Sequence, residues 1–186
     1  YILDLTKKRS LLRHLAADGM RPFLLDWGAP GAEECRFGLT DYVFGRLEPA
    51  VDQIFAATGR APLVVGYCMG GLLALALATR RPERVDALAL LATPWNFHAG
   101  PAGEIQRMKA MTPVLTAMID QLGELPVDVI QAIFTSLDPY LTAEKFRSFA
   151  TFKTGSRKAR QFVALEDWLN DGVPLVGPAA RECLVH

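Results

Sequence analysis

Short apolar runs alternate with helix-like segments along the first half of this 186-residue chain. In the helix-like segments, apolar side chains recur every three to four residues. The order β-α-β-α-β-α-β at this spacing is typical of an α/β fold, a doubly wound parallel sheet with helices on both faces. We expect helices over residues 6–18 (with Thr6 as the N-cap), 40–59 and 72–80, and strands over residues 1–5, 22–26, 63–65 and 85–91.

The pattern changes after Trp95. Helical periodicity then dominates, and no strand of ordinary length is evident in the rest of the sequence. We therefore predict two regions, a partial α/β core over residues 1–96 and a helical cap inserted after a core strand over residues 97–186. The predicted cap helices cover residues 104–122, 127–136, 143–152, 158–170 and from 178 onward.

Composition excludes several classes of protein. Twenty Lys and Arg balance twenty Asp and Glu, so the chain lacks the positive excess typical of proteins that bind nucleic acid. The three cysteines are too few and too widely spaced for a disulfide framework or a zinc site, and we expect no metal. Residues 61–79 carry no charge and are long enough to span a bilayer, but Pro62 and several glycines interrupt them. We predict a buried strand–turn–helix there and no membrane span.

The turn between the predicted strand at 63–65 and the following helix has the sequence Gly66-Tyr67-Cys68-Met69-Gly70-Gly71. Its G-x-C-x-G pattern is the cysteine form of a nucleophile elbow, a strained turn that exposes the nucleophile above a sheet. We predict that Cys68 is the nucleophile and that the Met69 backbone N–H stabilises an oxyanion. Gly66, Gly70 and Gly71 are the elbow glycines, since the tight turn leaves little room for side chains. The alternative is that the glycines permit close packing and Cys68 is a small buried hydrophobe.

A cysteine nucleophile with an ordinary pKa near ~8.5 needs a histidine base that is oriented by an acid. In this fold class the acid and then the histidine follow the nucleophile along the chain. His14 precedes Cys68, His98 precedes the whole cap, and His186 is the final residue. We therefore expect the acid and the base to lie outside this chain.

Ligands of parallel α/β sheets bind beyond the carboxyl ends of the strands. Two predicted strand ends carry Asp26 with Trp27, and Trp95 with Phe97, as possible pocket residues. A turn-starting role is the alternative for Asp26, because Gly28 follows two residues later.

Over nearly its whole length the sequence resembles the polyhydroxyalkanoate synthases. The likeness lies in the Cys68 turn and in four further segments: residues 1–5 (YILDL), 24–28 (LLDWG), 93–97 (TPWNF) and 165–172 (LEDWLNDG). It implies an α/β-hydrolase fold in which Cys68 transfers 3-hydroxyacyl groups from coenzyme A to a growing polyester. No cofactor is implied, since the coenzyme A thioester is the substrate. Asn96 stands where many members of the family have Asp.

The resemblance also implies a cellular location, an assembly state and the place of this chain within a longer protein. Such synthases act in the cytoplasm on polymer granules, as homodimers or with a second synthase subunit. Their acid and histidine follow the cap, beyond His186, and their sheet begins before Tyr1. The chain is thus expected to be an internal fragment that contains only one member of the triad, Cys68. We expect such a fragment to be inactive in isolation.

Two other functions remain open at this point. Dienelactone hydrolase, a cysteine hydrolase, has a similar elbow but lacks a long helical cap. A non-catalytic fragment that binds granules or a partner chain is the third possibility, and the missing acid and base favour it. The reactivity of Cys68 towards a hydroxyacyl-CoA separates these alternatives, because a synthase elbow forms an acyl thioester.

Overall fold

The computed structural model describes residues 1–95 and 102–184. The chain forms two compact units, one from Tyr1–Ala29 and Pro126–Pro174, the other from Pro30–Leu125 and Leu175–His186. These bounds differ from the predicted division into residues 1–96 and 97–186, which stays a prediction.

Strands and helices are interspersed up to residue 91, and the chain is mostly helical afterwards. Short 3₁₀ turns occur at Glu34–Arg36 and Pro82–Arg84, and a π-helical turn occurs at Val43–Leu47. In chain order the elements are β1 (Asp4–Thr6), β2 (Arg9–Ser10), α1 (Leu11–Ala17), α2 (Leu39–Tyr42), α3 (Glu48–Thr58), β3 (Leu63–Tyr67), α4 (Met69–Arg80), β4 (Ala87–Leu91), α5 (Ala102–Leu122), β5 (Glu124–Leu125), α6 (Val127–Leu137), α7 (Leu141–Ala150), α8 (Arg157–Asn170), β6 (Leu175–Val176) and α9 (Gly177–Leu184).

The first unit begins with a hairpin rather than with the predicted strand and long helix. β1 pairs antiparallel with β2, so Thr6 belongs to a strand. Helix α1 starts at Leu11, where the Ser10 hydroxyl accepts the Arg13 N–H at 2.9 Å. The predicted N-cap at Thr6 is therefore wrong. Both residue types cap helices well, and backbone pairing of the hairpin decides between them.

Residues 22–26 do not form the predicted buried strand. They have no regular secondary structure, and no strand of the described ranges 1–95 and 102–184 pairs with them. Phe23, Leu24 and Leu25 are 44%, 37% and 38% exposed. An apolar run has the side-chain composition of a strand, but an extended backbone is stabilised as one only when a neighbour completes its hydrogen-bond ladder.

The second unit contains the parallel strand pair that the alternation predicts. β3 and β4 lie in register from Leu63 opposite Ala87 to Tyr67 opposite Leu91, and α4 connects them. This β-α-β unit confirms the α/β class. Its core is a cluster of aliphatic side chains from the α2–α3 helical segment and from α4, namely Val43, Leu47, Val51, Leu73 and Leu77.

Residues 61–79 form β3, the turn and most of α4, which confirms the order strand, turn and helix, whereas β3 is only partly buried. Within the part of the chain that the structure describes, no helix is long and apolar enough to span a membrane. The predicted helices of the second half are also present as α5 to α9. The strands in this half of the described chain, β5 and β6, are two residues long each and pair with one another, in agreement with the expected lack of strands of ordinary length.

Candidate active site

The turn at Cys68 has a backbone conformation that side-chain-bearing residues rarely adopt. Cys68 lies between the last residue of β3 and the first residue of α4, with φ 51° and ψ −129°. Such a conformation costs a non-glycine residue about 1–3 kcal/mol and persists only where its surroundings impose it. Two hydrogen bonds do so here: Cys68 N–H donates to the Leu91 carbonyl, and Gly71 N–H donates to the Cys68 carbonyl, both at 2.9 Å.

Two of the three predicted elbow glycines are required by close packing. A Cβ atom at Gly66 would lie 2.5 Å from the Gly71 Cα and 2.9 Å from the Ala74 Cβ. A Cβ atom at Gly71 would overlap the Thr93 side chain. At Gly70 a Cβ atom meets nothing within 4 Å, so the expected lack of room does not apply there. The sharp turn therefore depends on Gly66 and Gly71, which let α4 pack directly against β3 and the end of β4.

Cys68 and Met69 are both half-buried. Met69 is the first residue of α4, so its N–H lies in the first helical turn, where amides have no acceptor within the helix. The twelve-residue helix adds the positive end of its dipole at the same place. An acyl oxygen attached to Cys68 can accept a hydrogen bond from such an amide. The roles of Cys68 and Met69 remain predictions supported by this geometry.

Sequence reasoning missed Cys183, which the fold brings to the elbow from 114 residues away. The Cys183 Sγ lies 3.7 Å from the Met69 Sδ. Burial raises the pKa of the Cys183 thiol, and the neighbouring Glu182 charge adds to the effect. No local pattern marks Cys183, because its neighbourhood depends on how α9 packs against the rest of the second unit.

Thr93 follows β4 closely and packs on the elbow. The preceding residue, Ala92, has φ 48°, so the chain also turns sharply after this strand. The Thr93 Oγ1 is buried and has no hydrogen-bond partner among the described residues. Trp95, predicted as a pocket residue, is 74% exposed, and Phe97 lies outside the described residues. Their pocket roles stay predictions.

Asp26 and Trp27 belong to the first unit, whereas Cys68 belongs to the second. The Asp26 carboxylate accepts the Tyr1 hydroxyl at 2.5 Å and the Gly28 N–H at 3.0 Å. The hydrogen bond from Tyr1, with a smaller contribution from Gly28, lowers the pKa of Asp26 below its usual value. The contact with Gly28 is the turn-starting interaction that was the alternative for this residue. A pocket role for Asp26 and Trp27 stays a prediction.

The described residues include one histidine, His14, which lies far from Cys68 in the sequence, and they include no metal site. His14 lies on α1 of the first unit and faces Asp18 at 3.7 Å, while His98 and His186 lie outside the described residues. Across residues 1–95 and 102–184, no group of three or more His, Cys, Asp or Glu side chains could hold a metal ion.

Comparison with known proteins agrees with this geometry. Residues 4–113 match the family described as alpha/beta hydrolase fold. The chain is 26% identical over 184 residues to the poly(3-hydroxyalkanoate) polymerase subunit PhaC of Thiocystis violacea, covering 98% of this chain and 51% of that protein. It is 30% identical over 185 residues to the subunit of the same name from Haloarcula marismortui, covering 96% of this chain and 38% of that protein. The chain thus spans about half or less of the length of these relatives.

Proposed function

Because the chain belongs to the alpha/beta hydrolase fold family, we propose that it carries the nucleophile of an acyltransferase that polymerises 3-hydroxyacyl-CoA into a polyester. The observation that carries this proposal is the backbone of Cys68, held at φ 51° between β3 and α4. A turn strained in this way places one side chain at the tip of a β-α crossover. The names of the matching polymerase subunits support poly(3-hydroxyalkanoate) as the product, and the coenzyme A thioester as acyl donor is part of the proposal.

The first half-reaction is a thioester exchange. The Cys68 thiolate attacks the carbonyl carbon of the hydroxyacyl-CoA, and the carbonyl oxygen becomes an oxyanion that the Met69 N–H stabilises. The tetrahedral intermediate collapses, the bond to the coenzyme A sulfur breaks, and the departing thiolate takes the proton that Cys68 gave up. One thioester replaces another, so the step is nearly balanced in energy and the acyl group stays reactive.

The second half-reaction forms the ester. The hydroxyl oxygen of another hydroxyacyl unit attacks the Cys68 thioester, loses its proton to a base, and forms the new ester bond. The carbon–sulfur bond breaks, and the Cys68 thiolate is regenerated. Removal of one oxyanion donor typically lowers the rate by about 10²–10³-fold, so the position of the Met69 amide matters in both half-reactions.

The setting of the reaction is part of the proposal. The relatives are named as subunits, which supports assembly with a second copy or with another synthase subunit. A polymerase that uses coenzyme A thioesters works where these are made, in the cytoplasm, and at the surface of the growing polymer granule. The cysteine hydrolase with a similar elbow is the competing function, and it lacks the long helical region that α5 to α9 form here.

Acylation of Cys68 tests the proposal. In the complete protein, which supplies the acid and base expected outside this chain, incubation with 3-hydroxybutyryl-CoA is expected to add one hydroxyacyl group at Cys68, detected by mass spectrometry of the intact protein and of its peptides. Cys68→Ala should take up no acyl group and make no polymer, whereas the control Cys35→Ser, at an exposed position, should behave as the wild type. Release of free hydroxy acid without polymer would favour the hydrolase. Polymer formation by Cys68→Ala would overturn the mechanism.

A further inference from the structure

Helix α9 is held firmly within the second unit. Ala179 and Ala180 are fully buried, and Gly177 N–H donates to the Gly123 carbonyl at 2.9 Å. A Cβ atom at Gly177 would lie 2.7 Å from the same carbonyl oxygen, so the start of α9 packs directly on the end of α5. The Arg181 guanidinium pairs with the Asp120 carboxylate on α5. The first half of α9 is therefore a fixed support.

The last turn of α9 reaches two separate parts of the same unit. The Glu182 carboxylate accepts the Leu39 N–H at 3.0 Å at the start of α2 and lies close against Gly38. The next residue, Cys183, contacts the Met69 side chain through the two sulfur atoms at 3.7 Å. A thiol proton pointing at a thioether sulfur is a weak hydrogen bond, and two polarizable sulfurs in contact also gain dispersion energy.

We propose that Cys183 is a positioning residue for the elbow, which fixes the Met69 side chain and thereby the direction of the Met69 backbone N–H. This inference rests on the proposed function. The oxyanion donor belongs to a residue next to a strained turn, and its N–H points correctly only while the first turn of α4 stays in place. Met69 has a flexible side chain, so a contact at its sulfur restricts the rotamers that this side chain can adopt.

Burial keeps Cys183 in a supporting role. The raised pKa of its thiol leaves it protonated at neutral pH, where it donates a proton and carries no charge. A protonated thiol is a poor nucleophile, so Cys183 does not compete with Cys68 for the acyl group. Cys183 is partly buried and contacts the Met69 side chain through its sulfur.

The test compares a reaction that needs an oxyanion donor with one that does not. Acylation of Cys68 by 3-hydroxybutyryl-CoA passes through an oxyanion, whereas alkylation of Cys68 by iodoacetamide is a direct displacement. In Cys183→Ala we expect acylation to slow about tenfold with kcat reduced and KM unchanged, because a small misplacement of a catalytic group is costly. Alkylation of Cys68, followed by peptide mapping, should proceed at the wild-type rate. Cys183→Val, which keeps an apolar group of slightly larger size at this position, should recover most of the acylation rate, and Cys35→Ala should match the wild type.

Each outcome bears on the inference. Unchanged acylation in Cys183→Ala overturns it, and so does an equal loss of acylation and alkylation, because that indicates general loosening of the unit. If Cys68 of the complete wild-type protein takes up no acyl group, the proposed function fails, and hydrogen exchange then tests the positioning role separately. Faster exchange of the Gly71 amide, which donates to the Cys68 carbonyl, in Cys183→Ala than in Cys35→Ala supports it, whereas equal exchange contradicts it.

Discussion

The Cys68 N–H donates to the Leu91 carbonyl at 2.9 Å, one step beyond the last register pair of the parallel strands β3 and β4. The bond continues the ladder into a residue whose φ is already positive. The neighbouring strand thus holds the nucleophile candidate at the point where the chain leaves the sheet. Strain at Cys68 is balanced by this contact and by the packing of α4.

The backbone strain at Cys68 predicts an unusual stability order. Cys68→Ala keeps a Cβ atom at φ 51° and so keeps the strain, whereas Cys68→Gly removes it. Both variants lack the nucleophile and should be inactive. Relief of the strain stabilises the glycine variant, whereas the greater backbone entropy of glycine in the unfolded chain destabilises it. We expect the glycine variant to be more stable than the alanine variant by about 1 kcal/mol in sum. Urea unfolding of the two variants measures the difference, and an alanine variant of equal or greater stability contradicts a strained elbow.

The two glycines that follow Met69 should respond differently to substitution. Gly71→Ala places a methyl group on the Thr93 side chain and should destabilise the protein by about 1–3 kcal/mol, as overpacked positions do. Gly70→Ala, the matched control, points into open space within a helix and should be neutral or slightly stabilising. Thermal or urea unfolding of both variants measures the effect. Equal destabilisation by the two substitutions would refute the packing at Gly71.

Leu77 lies at the centre of the aliphatic cluster of the second unit and is fully buried. Leu77→Ala should lower the free energy of unfolding by about 2–5 kcal/mol, through lost burial and a residual cavity. Leu63→Ala is the control, because Leu63 is 59% exposed at the start of β3. Denaturant unfolding should show a much smaller effect for the control. Comparable effects would indicate that α4 does not pack as described.

The pair Tyr1 and Asp26 predicts a pH dependence. The folded pKa of Asp26 is lowered, mainly by the Tyr1 hydroxyl, so its contribution to stability is present above the ordinary value of 3.8. The contribution is lost as the pH falls through the lower, folded pKa. Tyr1→Phe should therefore raise the pKa of Asp26 towards 3.8 in an NMR titration of the carboxyl carbon.

Tyr140→Phe is the control for this titration, since Tyr140 belongs to the same unit and is 77% exposed. It should leave the Asp26 titration unchanged. An Asp26 pKa that does not move in Tyr1→Phe shows that the hydrogen bond is not formed in solution.

The central β-α-β unit could be predicted because its signals are local. The apolar run at 63–65, the glycine-flanked Cys68 and the helical spacing after it specify a strand, a turn and a helix from neighbouring residues. The helices α5 to α9 follow from periodicity for the same reason. The strand predicted at 22–26 was wrong, since pairing needs a partner that propensity does not reveal.

The amino-acid sequence alone therefore determined the α/β class and the candidate nucleophile, because backbone preferences and side-chain periodicity act over a few residues. Tertiary structure decided which glycine is sterically required, since Gly71 meets Thr93 only after β4 lies beside β3. It also decided that Cys183 contacts Met69 across 114 positions of chain. Such contacts depend on how helices and strands pack, and packing is set by the shape and burial of the whole unit rather than by any local pattern.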